Sequence, residues 1–336
     1  MKKPARRPPP PKTQPPTDSP SAMKHRILQA GRLLPALEAQ LAADHDLHRL
    51  ADEADPDAFL ARHGAEFTGL VTSAGGAGAP TALIAALPQL RVISSFGVGL
   101  DKIDLAAARA RAIAVGYTPD VLNDCVADTA FALMLDVARR TAEADRFVRA
   151  GRWAAGATFG LGRKVSGARL GIVGLGRIGQ TIARRASGFD MAVRYHSRRA
   201  VAGVPWAHEP ALAELARWAD FLVVITAGGP ATRHLIDAAV LEALGPRGYL
   251  INVARGSVID EAALVRALAE RRIAGAGLDV FEHEPQVPAT LLALDNVVLL
   301  PHIASATEET RQAMARRVLD NLAHFYATGQ LISAAA

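Results

Sequence analysis

The sequence has little cysteine and no long apolar segment, and both absences narrow the possible classes of protein. Cys125 is the only cysteine, which excludes a disulfide within the chain, and no CxxC or Cys/His cluster suggests zinc. We therefore expect no metal site and a reducing, cytoplasmic location. The apolar runs at 221–225 and 296–300 are far shorter than the roughly 18 residues of a membrane-spanning helix, so no membrane association is predicted.

Excess positive charge is also scarce once the N-terminal end is set aside. The net charge is +5, but residues 1–20 carry five Lys or Arg and one Asp, which leaves +1 for the rest. Eight of the 20 prolines fall in the same segment. We expect residues 1–22 to be a disordered, polyproline-II-like tail outside the fold. Such a tail is a dispensable extension, an over-extended start before Met23 or, as the least favoured reading, a nucleic-acid-binding arm. No nucleic-acid partner is therefore predicted.

Beyond the tail, short apolar runs alternate with helix-forming stretches, which is typical of parallel sheets covered by helices on both faces. One long helical stretch is predicted at 121–149, and a glycine-rich linker at 151–167 follows it. The last helical stretch, 308–325, is expected to pack back on the first unit. A cleft between the two units is the expected active site. The predicted units are residues 23–119 together with 304–336, and residues 120–303.

Residues 169–199 organise the second unit, because they are predicted to form a strand, a helix and a second strand around a glycine motif. Gly174, Gly176 and Gly179 form GxGxxG. These glycines allow a tight turn, a close approach of backbone amides to a pyrophosphate, and close packing of the helix on the strand. The motif predicts a dinucleotide-binding Rossmann domain. We accordingly predict an α/β fold of two doubly wound parallel-sheet domains, this Rossmann domain and a flavodoxin-like substrate domain.

The end of the second strand of this unit indicates which dinucleotide binds. An acidic residue there ordinarily contacts the ribose 2′-hydroxyl of NAD, but this chain has Ser197. Asp190, the nearest carboxylate, precedes the strand and should lie at its far end. Arg198 and Arg199 follow Ser197, and a serine beside a guanidinium suits a 2′-phosphate. The sequence therefore predicts NADP(H) in preference to NAD(H).

Three polar residues follow buried strands and suit the reduction of a 2-keto acid beside a nicotinamide. Arg255 offers a forked pair of donors to a carboxylate. His302 suits general acid and base chemistry near neutrality, and a paired carboxylate, for which Glu284 is the candidate, would favour the protonated imidazole. His283 and Glu282 are the alternatives. Neighbouring residues of an extended segment point to opposite sides, so His283 and Glu284 are not expected to face the cleft together.

Several motifs resemble the D-isomer-specific 2-hydroxyacid dehydrogenase family. They are GLGRIG at 174–179, NVARGSVID at 252–260, GAGLDVFEHEP at 275–285 and LPHIASAT at 300–307. The glyoxylate/hydroxypyruvate reductase branch, which includes hydroxyphenylpyruvate reductases, is similar at SSFGVGLDKIDL (94–105), TPDVLNDCVADTA (118–130) and LINVARG. The resemblance implies reduction of a 2-keto acid of the glyoxylate or hydroxypyruvate type to the D-2-hydroxy acid by hydride transfer.

The same resemblance assigns roles to individual residues. Arg255 would hold the substrate, and Glu284 and His302 would form the acid/base pair. Val98 and Gly99 would offer backbone amides to the substrate carboxylate. The predicted cofactor site comprises Gly174, Gly176, Arg177, Ile178, Gly179, Ser197, Arg198, Arg199, Thr226, Ala254 and Asp279, the last of which would contact the nicotinamide carboxamide.

Family members of this type are homodimers built through their nucleotide-binding domains, which implies a homodimer here with 151–167 as the arm. The chain departs from many relatives at 226–230, where Thr-Ala-Gly-Gly-Pro replaces a Pro-Leu-Thr loop and changes the contacts that this loop offers the cofactor. The small side chains at 73–78 admit either a compact or an aromatic keto acid. The alternative functions are a reductase for a bulkier keto acid such as hydroxyphenylpyruvate, another dehydrogenase of the family such as phosphoglycerate dehydrogenase, and a non-catalytic, dinucleotide-sensing, corepressor-like protein.

Overall fold

The computed structural model describes residues 24–335, so the predicted tail at 1–22 lies outside the described residues. The first part of the chain forms a five-stranded parallel sheet with the order β2-β1-β3-β4-β5. Its strands are β1 (Arg26–Gln29), β2 (Asp46–Arg49), β3 (Gly69–Ser73), β4 (Val92–Phe96) and β5 (Ala114–Gly116). Strands are added to one side of β1 up to β2 and to its other side from β3 onward, and this strand order is that of flavodoxin-like folds.

Four helices connect these strands. They are α1 (Pro35–Asp44), α2 (Pro56–His63), α3 (Thr81–Ala85) and α4 (Leu105–Ala110). Two of them begin at an aspartate whose side chain accepts a hydrogen bond from a backbone amide of the first turn, Asp55 for α2 and Asp104 for α4. Each cap defines the residue at which the helix begins, and so defines where the loop before that helix ends.

The second sheet has seven parallel strands in the order β12-β11-β10-β9-β6-β7-β8. They are β6 (Arg169–Val173), β7 (Ala192–His196), β8 (Ala207–His208), β9 (Phe221–Val224), β10 (Tyr249–Asn252), β11 (Gly275–Leu278) and β12 (Val297–Leu299). The order reverses between β6 and β9, as in a Rossmann domain. The predicted α/β fold of two doubly wound parallel sheets is confirmed; the two-residue strand β8 was not predicted.

Seven helices accompany the second sheet, and one more follows it. They are α5 (Asn123–Arg139), α6 (Thr141–Arg149), α7 (Arg177–Ala186), α8 (Leu212–Trp218), α9 (Ala238–Leu244), α10 (Glu261–Ala269), α11 (Ala289–Leu292) and α12 (Glu308–Thr328). Short 3-10 turns occur at Leu50–Asp52, Gly64–Glu66, Ser187–Phe189, Pro230–Thr232 and Gly256–Val258. Within the described range, no helix combines the length and the apolar character that crossing a membrane requires.

The single helical stretch predicted at 121–149 is wrong, because the chain breaks into α5 and α6 at Arg140. Arg140 has a φ of 57°, in the left-handed region. The side chain of Asp136 accepts hydrogen bonds from the Thr141 hydroxyl and the Ala142 amide, at 2.6 and 2.7 Å, and so starts a new helix. Apolar periodicity continues through the break, so it gave no sign of the turn.

The last helix, α12, lies on the first sheet rather than on the second. It packs against β4, and the hydroxyl of Ser94 donates to the carbonyl of Val318 at 3.2 Å. The segment after α12 stays on the same sheet, since the Tyr117 amide donates to the Ser333 carbonyl at 3.2 Å. The first sheet is therefore completed by residues from both ends of the described chain.

A histidine cluster where α12 meets the first sheet makes stability depend on pH. The rings of His25 and Tyr326 stack with centroids 3.6 Å apart, and the His45 ring lies 6.3 Å from that of His25. Burial lowers the pKa of both imidazoles below the ordinary 6.5; the charge of Arg91 adds to this at His25, and that of Asp44 partly opposes it at His45. The unfolded chain therefore binds these protons more readily, and the stabilisation present above about pH 6.5 is lost as the pH falls.

We expect the melting temperature to fall more steeply from pH 7.5 to 5.5 in the wild type than in a His25→Gln/His45→Gln variant. Circular dichroism melts across this range measure the difference. His283→Gln, at an exposed histidine outside the cluster, is the matched control and should keep the wild-type slope. Identical slopes in the wild type and the double variant would show that the cluster does not couple to folding.

Candidate active site

A cavity of about 990 Å³ lies between the two sheets, where the loops after their strands meet. Its walls include Phe96 at the end of β4, together with Ile225 and Val253, which follow β9 and β10. Arg255 and His302 also line it. Ligands of open parallel sheets bind in such a crevice, so this cavity is the candidate active site.

The glycine motif forms a turn that fits a diphosphate. Gly174 has a φ of 102°, and a Cβ there would lie 2.8 Å from the backbone of Thr226. A Cβ on Gly179 would collide with the carbonyl oxygen of Gly174, which explains why α7 can lie so close to β6. A Cβ on Gly176 would meet nothing within 4 Å, so the space above the helix start is open. No side chain caps α7, and its amides are available to an anion.

Four further predicted cofactor residues lie at this cavity. Ile178, Thr226 and Ala254 line it, and so does Arg177. Arg177 also contacts the segment that leads out of the first sheet. Its Nε lies 3.0 Å from Oδ1 of Asp120 and its NH1 donates to the Tyr117 hydroxyl at 3.3 Å, and these two contacts raise the pKa of the guanidinium.

The predicted ribose-binding residues lie at the carboxyl end of β7, away from the lining of the main cavity. The Ser197 hydroxyl donates to the Arg199 carbonyl at 2.6 Å, and the His208 ring nitrogen Nε2 lies 3.0 Å from the Ser197 carbonyl oxygen. The side chains of Arg198 and Arg199 are exposed. Asp190 sits before β7, at the opposite end of the strand, as the sequence suggested.

His302 and Glu284 form a hydrogen-bonded pair. Nδ1 of His302 lies 2.7 Å from Oε2 of Glu284, and the amide of Phe281 donates to the other carboxylate oxygen at 3.1 Å. Burial raises the pKa of Glu284, but the hydrogen bond and charge of His302 outweigh burial and hold that pKa below its usual range. With Nδ1 engaged, Nε2 is the imidazole nitrogen left for a ligand in the cavity.

The rival residues point elsewhere. The Glu282 carboxylate pairs with Arg233 and His234, both at 2.9 Å, and so does not hold His302. His283 is exposed and outside the lining of the cavity. The partner of His302 is therefore Glu284, and neither Glu282 nor His283 competes for it in this structure.

Asp279 fixes the loop that carries His302. It is 1% exposed, and its two carboxylate oxygens accept from the amides of Ile303 and Ala304 at 2.7 and 2.9 Å. Burial raises the pKa of Asp279, and the two amides partly offset the rise. His302 itself has a φ of 55°, a conformation that this clamp holds in place. The predicted contact of Asp279 with the nicotinamide carboxamide stays a prediction.

Arg255 reaches across the cleft to the loop after β4. Its Nε donates to Oδ1 of Asp101 at 3.2 Å, and its NH1 donates to the Ala254 carbonyl at 2.8 Å. A Cβ on Gly99 would collide with the guanidinium, so Arg255 lies directly against the backbone of Gly99, and Val98 lines the same cavity. The structure thus brings together the three residues predicted to bind the substrate.

Asp101 is the residue of this site that the sequence did not identify, although it stands two positions after Gly99 in the motif SSFGVGLDKIDL. The same pair of residues explains one of the unusual glycines at 226–230, Gly228. A Cβ on Gly228 would lie 2.8 Å from Cγ of Arg255 and 3.4 Å from Cγ of Asp101. The glycine therefore leaves room for the Arg255–Asp101 pair.

Replacing Asp101 by Asn should lower kcat/KM for the substrate about tenfold while leaving the Kd of the dinucleotide unchanged. A neutral amide keeps the size of the carboxylate but loses the charge-assisted hydrogen bond that orients the guanidinium. Steady-state kinetics and fluorescence titration with NADPH measure the two quantities. Asp120→Asn removes an exposed carboxylate from the Arg177 pair and is the control. Equal falls in both variants would argue against an orienting role for Asp101.

Comparisons with known proteins identify the family to which this chain is similar. The family model described as D-isomer specific 2-hydroxyacid dehydrogenase, NAD binding domain, matches residues 131–304. Glyoxylate/hydroxypyruvate reductase A of Arabidopsis thaliana is 47% identical over 290 residues, which cover 86% of this chain and 92% of that protein. 2-Ketogluconate reductase of Gluconobacter oxydans is 48% identical over 263 residues, covering 78% and 84%.

A solved structure is similar over nearly its whole length. The NADPH-dependent glyoxylate/hydroxypyruvate reductase of Sinorhizobium meliloti, in complex with NADP and malonate, superimposes with a TM-score of 0.86 at 42% identity. The match covers 93% of this chain and 97% of that one. The similarity therefore extends over both sheets and the cleft between them.

Proposed function

Because the chain belongs to the D-isomer specific 2-hydroxyacid dehydrogenase family and is an NAD(P)-dependent oxidoreductase of that family, we propose that it uses NADPH to reduce a 2-keto acid of the glyoxylate or hydroxypyruvate type to the D-2-hydroxy acid. One observation carries the proposal: Arg255 and the His302–Glu284 pair meet at one cavity, beside the glycine turn. The names of the relatives support the substrate class.

The substrate carboxylate binds to the amides of Val98 and Gly99 and to the guanidinium of Arg255, which lies against that backbone. Arg255 also polarises the keto oxygen, because its planar fork offers more than one donor. The reduced nicotinamide, when bound, supplies the hydride that the keto carbon accepts. Nε2 of His302 donates a proton to the oxygen of that carbon as its negative charge develops. The product is the 2-hydroxy acid, and His302 is left neutral.

Glu284 keeps His302 ready for the next cycle. Its carboxylate is ionised at neutral pH, since its pKa is held low by His302, and its hydrogen bond to Nδ1 leaves Nε2 of His302 for the substrate. The Asp279 clamp on the backbone at 303–304 holds the ring where it can meet the keto oxygen. In the oxidation direction, the neutral imidazole accepts the hydroxyl proton.

The direct test follows NADPH oxidation by absorbance with glyoxylate, hydroxypyruvate, pyruvate and 4-hydroxyphenylpyruvate. We expect turnover with at least one compact keto acid. The last compound tests the bulkier substrate class, which a hydroxyphenylpyruvate reductase of Plectranthus scutellarioides, 48% identical over 290 residues, also represents. Absence of turnover with all four keto acids would reject the proposed function.

We expect kcat/KM to be higher with NADPH than with NADH, and a Ser197→Asp/Arg198→Ala variant to erase or reverse that preference. The substitutions introduce a carboxylate that contacts a ribose 2′-hydroxyl and repels a 2′-phosphate, and they remove an exposed guanidinium. Steady-state kinetics with both cofactors measure the ratio. Arg247→Ala, an arginine elsewhere in this unit, is the control. A wild-type preference for NADH, or equal values, would contradict the assignment.

The proposed assembly is a homodimer in the cytoplasm, formed through the segment 151–167. Trp153 in this segment is 70% exposed and Leu161 is 98% exposed. Large apolar side chains at such exposure favour burial against a partner. We also keep the proposed division into a substrate-binding domain of 23–119 with 304–336 and a cofactor-binding domain of 120–303.

A further inference from the structure

The cleft contains a second guanidinium that the proposed reaction does not use. Arg311 lies in the first turns of α12 and lines the same cavity as Arg255 and His302. Its guanidinium carbon lies 5.6 Å from the centroid of the Phe96 ring, and Phe96 directly precedes the loop that holds the substrate carboxylate. Arg311 therefore stands beside the substrate-binding loop, on the substrate side of the cleft.

Arg311 is half-buried, yet no salt bridge or hydrogen bond to its side chain is found among residues 24–335. The nearest carboxylate that acts on it is that of Asp279, whose oxygens already accept from the amides of Ile303 and Ala304. Burial lowers the pKa of Arg311, and the Asp279 charge only partly restores it. A partly desolvated cation without an anionic partner is costly unless a ligand supplies the anion.

The charges of the cleft indicate what that ligand carries. A simple 2-keto acid has one carboxylate, and this group is already served by Arg255 and the amides of Val98 and Gly99. Asp101 balances part of the Arg255 charge. Arg311 is therefore a surplus cation at the wall of the same cavity, and a guanidinium is a group that can bind a second carboxylate through a forked pair of donors.

We propose that Arg311 binds a second anionic group on the side chain of the substrate, and that it thereby extends the substrates of the enzyme to 2-keto acids with a carboxylate at each end. This inference rests on the proposed function. A hydroxyl group at the same place is a weaker ligand of the guanidinium, because hydrogen bonds between charged groups are stronger than those to neutral ones. Keto acids that end in hydrogen or methyl leave Arg311 without a partner.

The test compares oxaloacetate, which carries a second carboxylate, with glyoxylate and pyruvate, which do not. We expect the wild type to reduce oxaloacetate as well as glyoxylate, and Arg311→Gln to lower kcat/KM for oxaloacetate at least tenfold while changing that for glyoxylate less than threefold. Arg311→Lys should restore part of the loss, since it keeps the charge but not the fork. Arg316→Gln, at an exposed arginine of α12, is the matched control and should resemble the wild type.

A binding measurement separates this inference from the proposed function. Malonate, a dicarboxylate that cannot be reduced, should raise the melting temperature of the wild type, and Arg311→Gln should need at least tenfold more malonate for the same rise. If the wild type turns over no keto acid but malonate protection still depends on Arg311, the proposed function fails and the anion site stands.

Three results would overturn the inference. One is an equal loss with glyoxylate and oxaloacetate, which would mean that Arg311 only supports the Asp279 loop. Another is a wild type that reduces glyoxylate but not oxaloacetate. The third is equal malonate protection of the wild type and Arg311→Gln. Melting curves without ligand, taken for every variant, show that a loss of activity or binding is not a loss of folding.

Discussion

Replacing His302 by Asn is expected to lower kcat for keto-acid reduction about a hundredfold or more, because the proton donor is lost. NADPH binding should stay close to that of the wild type, since the glycine turn at 174–179 lies on another loop of the cavity. Asparagine also tolerates the left-handed backbone that this position requires, so the loop should keep its shape. Stopped-flow absorbance and fluorescence titration measure the two effects. Turnover near the wild-type rate at neutral pH would exclude His302 as the acid.

Glu284→Gln provides the companion measurement, because it keeps the imidazole and removes its anion. The kcat for reduction should fall about tenfold or more, since a neutral amide loses the charge-assisted hydrogen bond that orients the ring at Nδ1. Stopped-flow absorbance measures the fall. A Glu284→Gln rate equal to that of the wild type would separate the two residues functionally, despite the 2.7 Å between them.

Replacing Gly179 by Ala is expected to damage both the fold and cofactor binding. The added Cβ would collide with the Gly174 carbonyl, so α7 must move away from β6 and take its N-terminal amides with it. Overpacking of this kind costs about 1 to 3 kcal/mol, which is several degrees of melting temperature in a chain of this size. The Kd of NADPH should rise about tenfold or more. Calorimetry and fluorescence titration measure the two effects.

Two neighbouring glycines separate these effects. A Cβ on Gly176 or on Gly188 would meet nothing within 4 Å. Gly176→Ala should therefore weaken NADPH binding by filling the diphosphate space while keeping the melting temperature, whereas Gly188→Ala, beyond the end of α7, should change neither. If Gly179→Ala behaved like Gly188→Ala, the close contact of α7 with the glycine turn would not matter to stability or to binding.

The sequence predicted the parts of this molecule that depend on local order. Strands, glycine turns and polar residues just after a strand can each be predicted from a few neighbouring positions of the sequence. Glu284 and His302 follow β11 and β12, which are adjacent in one sheet, so their meeting could be anticipated. The resemblance of the motifs to the dehydrogenase family is confirmed by the family model and by the relatives.

The parts that the sequence did not predict depend on how the two sheets dock. The pair of Asp101 with Arg255 joins positions 154 residues apart, and nothing near either residue specifies the other. The contacts of Arg177 with Asp120 and with Tyr117 likewise join residues that are far apart in the sequence. The break at Arg140 escaped notice for a different reason, because a single left-handed residue leaves the apolar periodicity intact.

The return of α12 to the first sheet sets an order of events during protein synthesis. A ribosome releases the chain from its N-terminal end, so β1 to β5 emerge long before the helix that covers β4. In contrast, β6 to β12 emerge as one continuous block and can fold as a unit. Until α12 is made, β4 lacks the helix that packs against it, although α1 already lies in the same core cluster. The helix that completes the first sheet is thus made only after every strand of the Rossmann sheet.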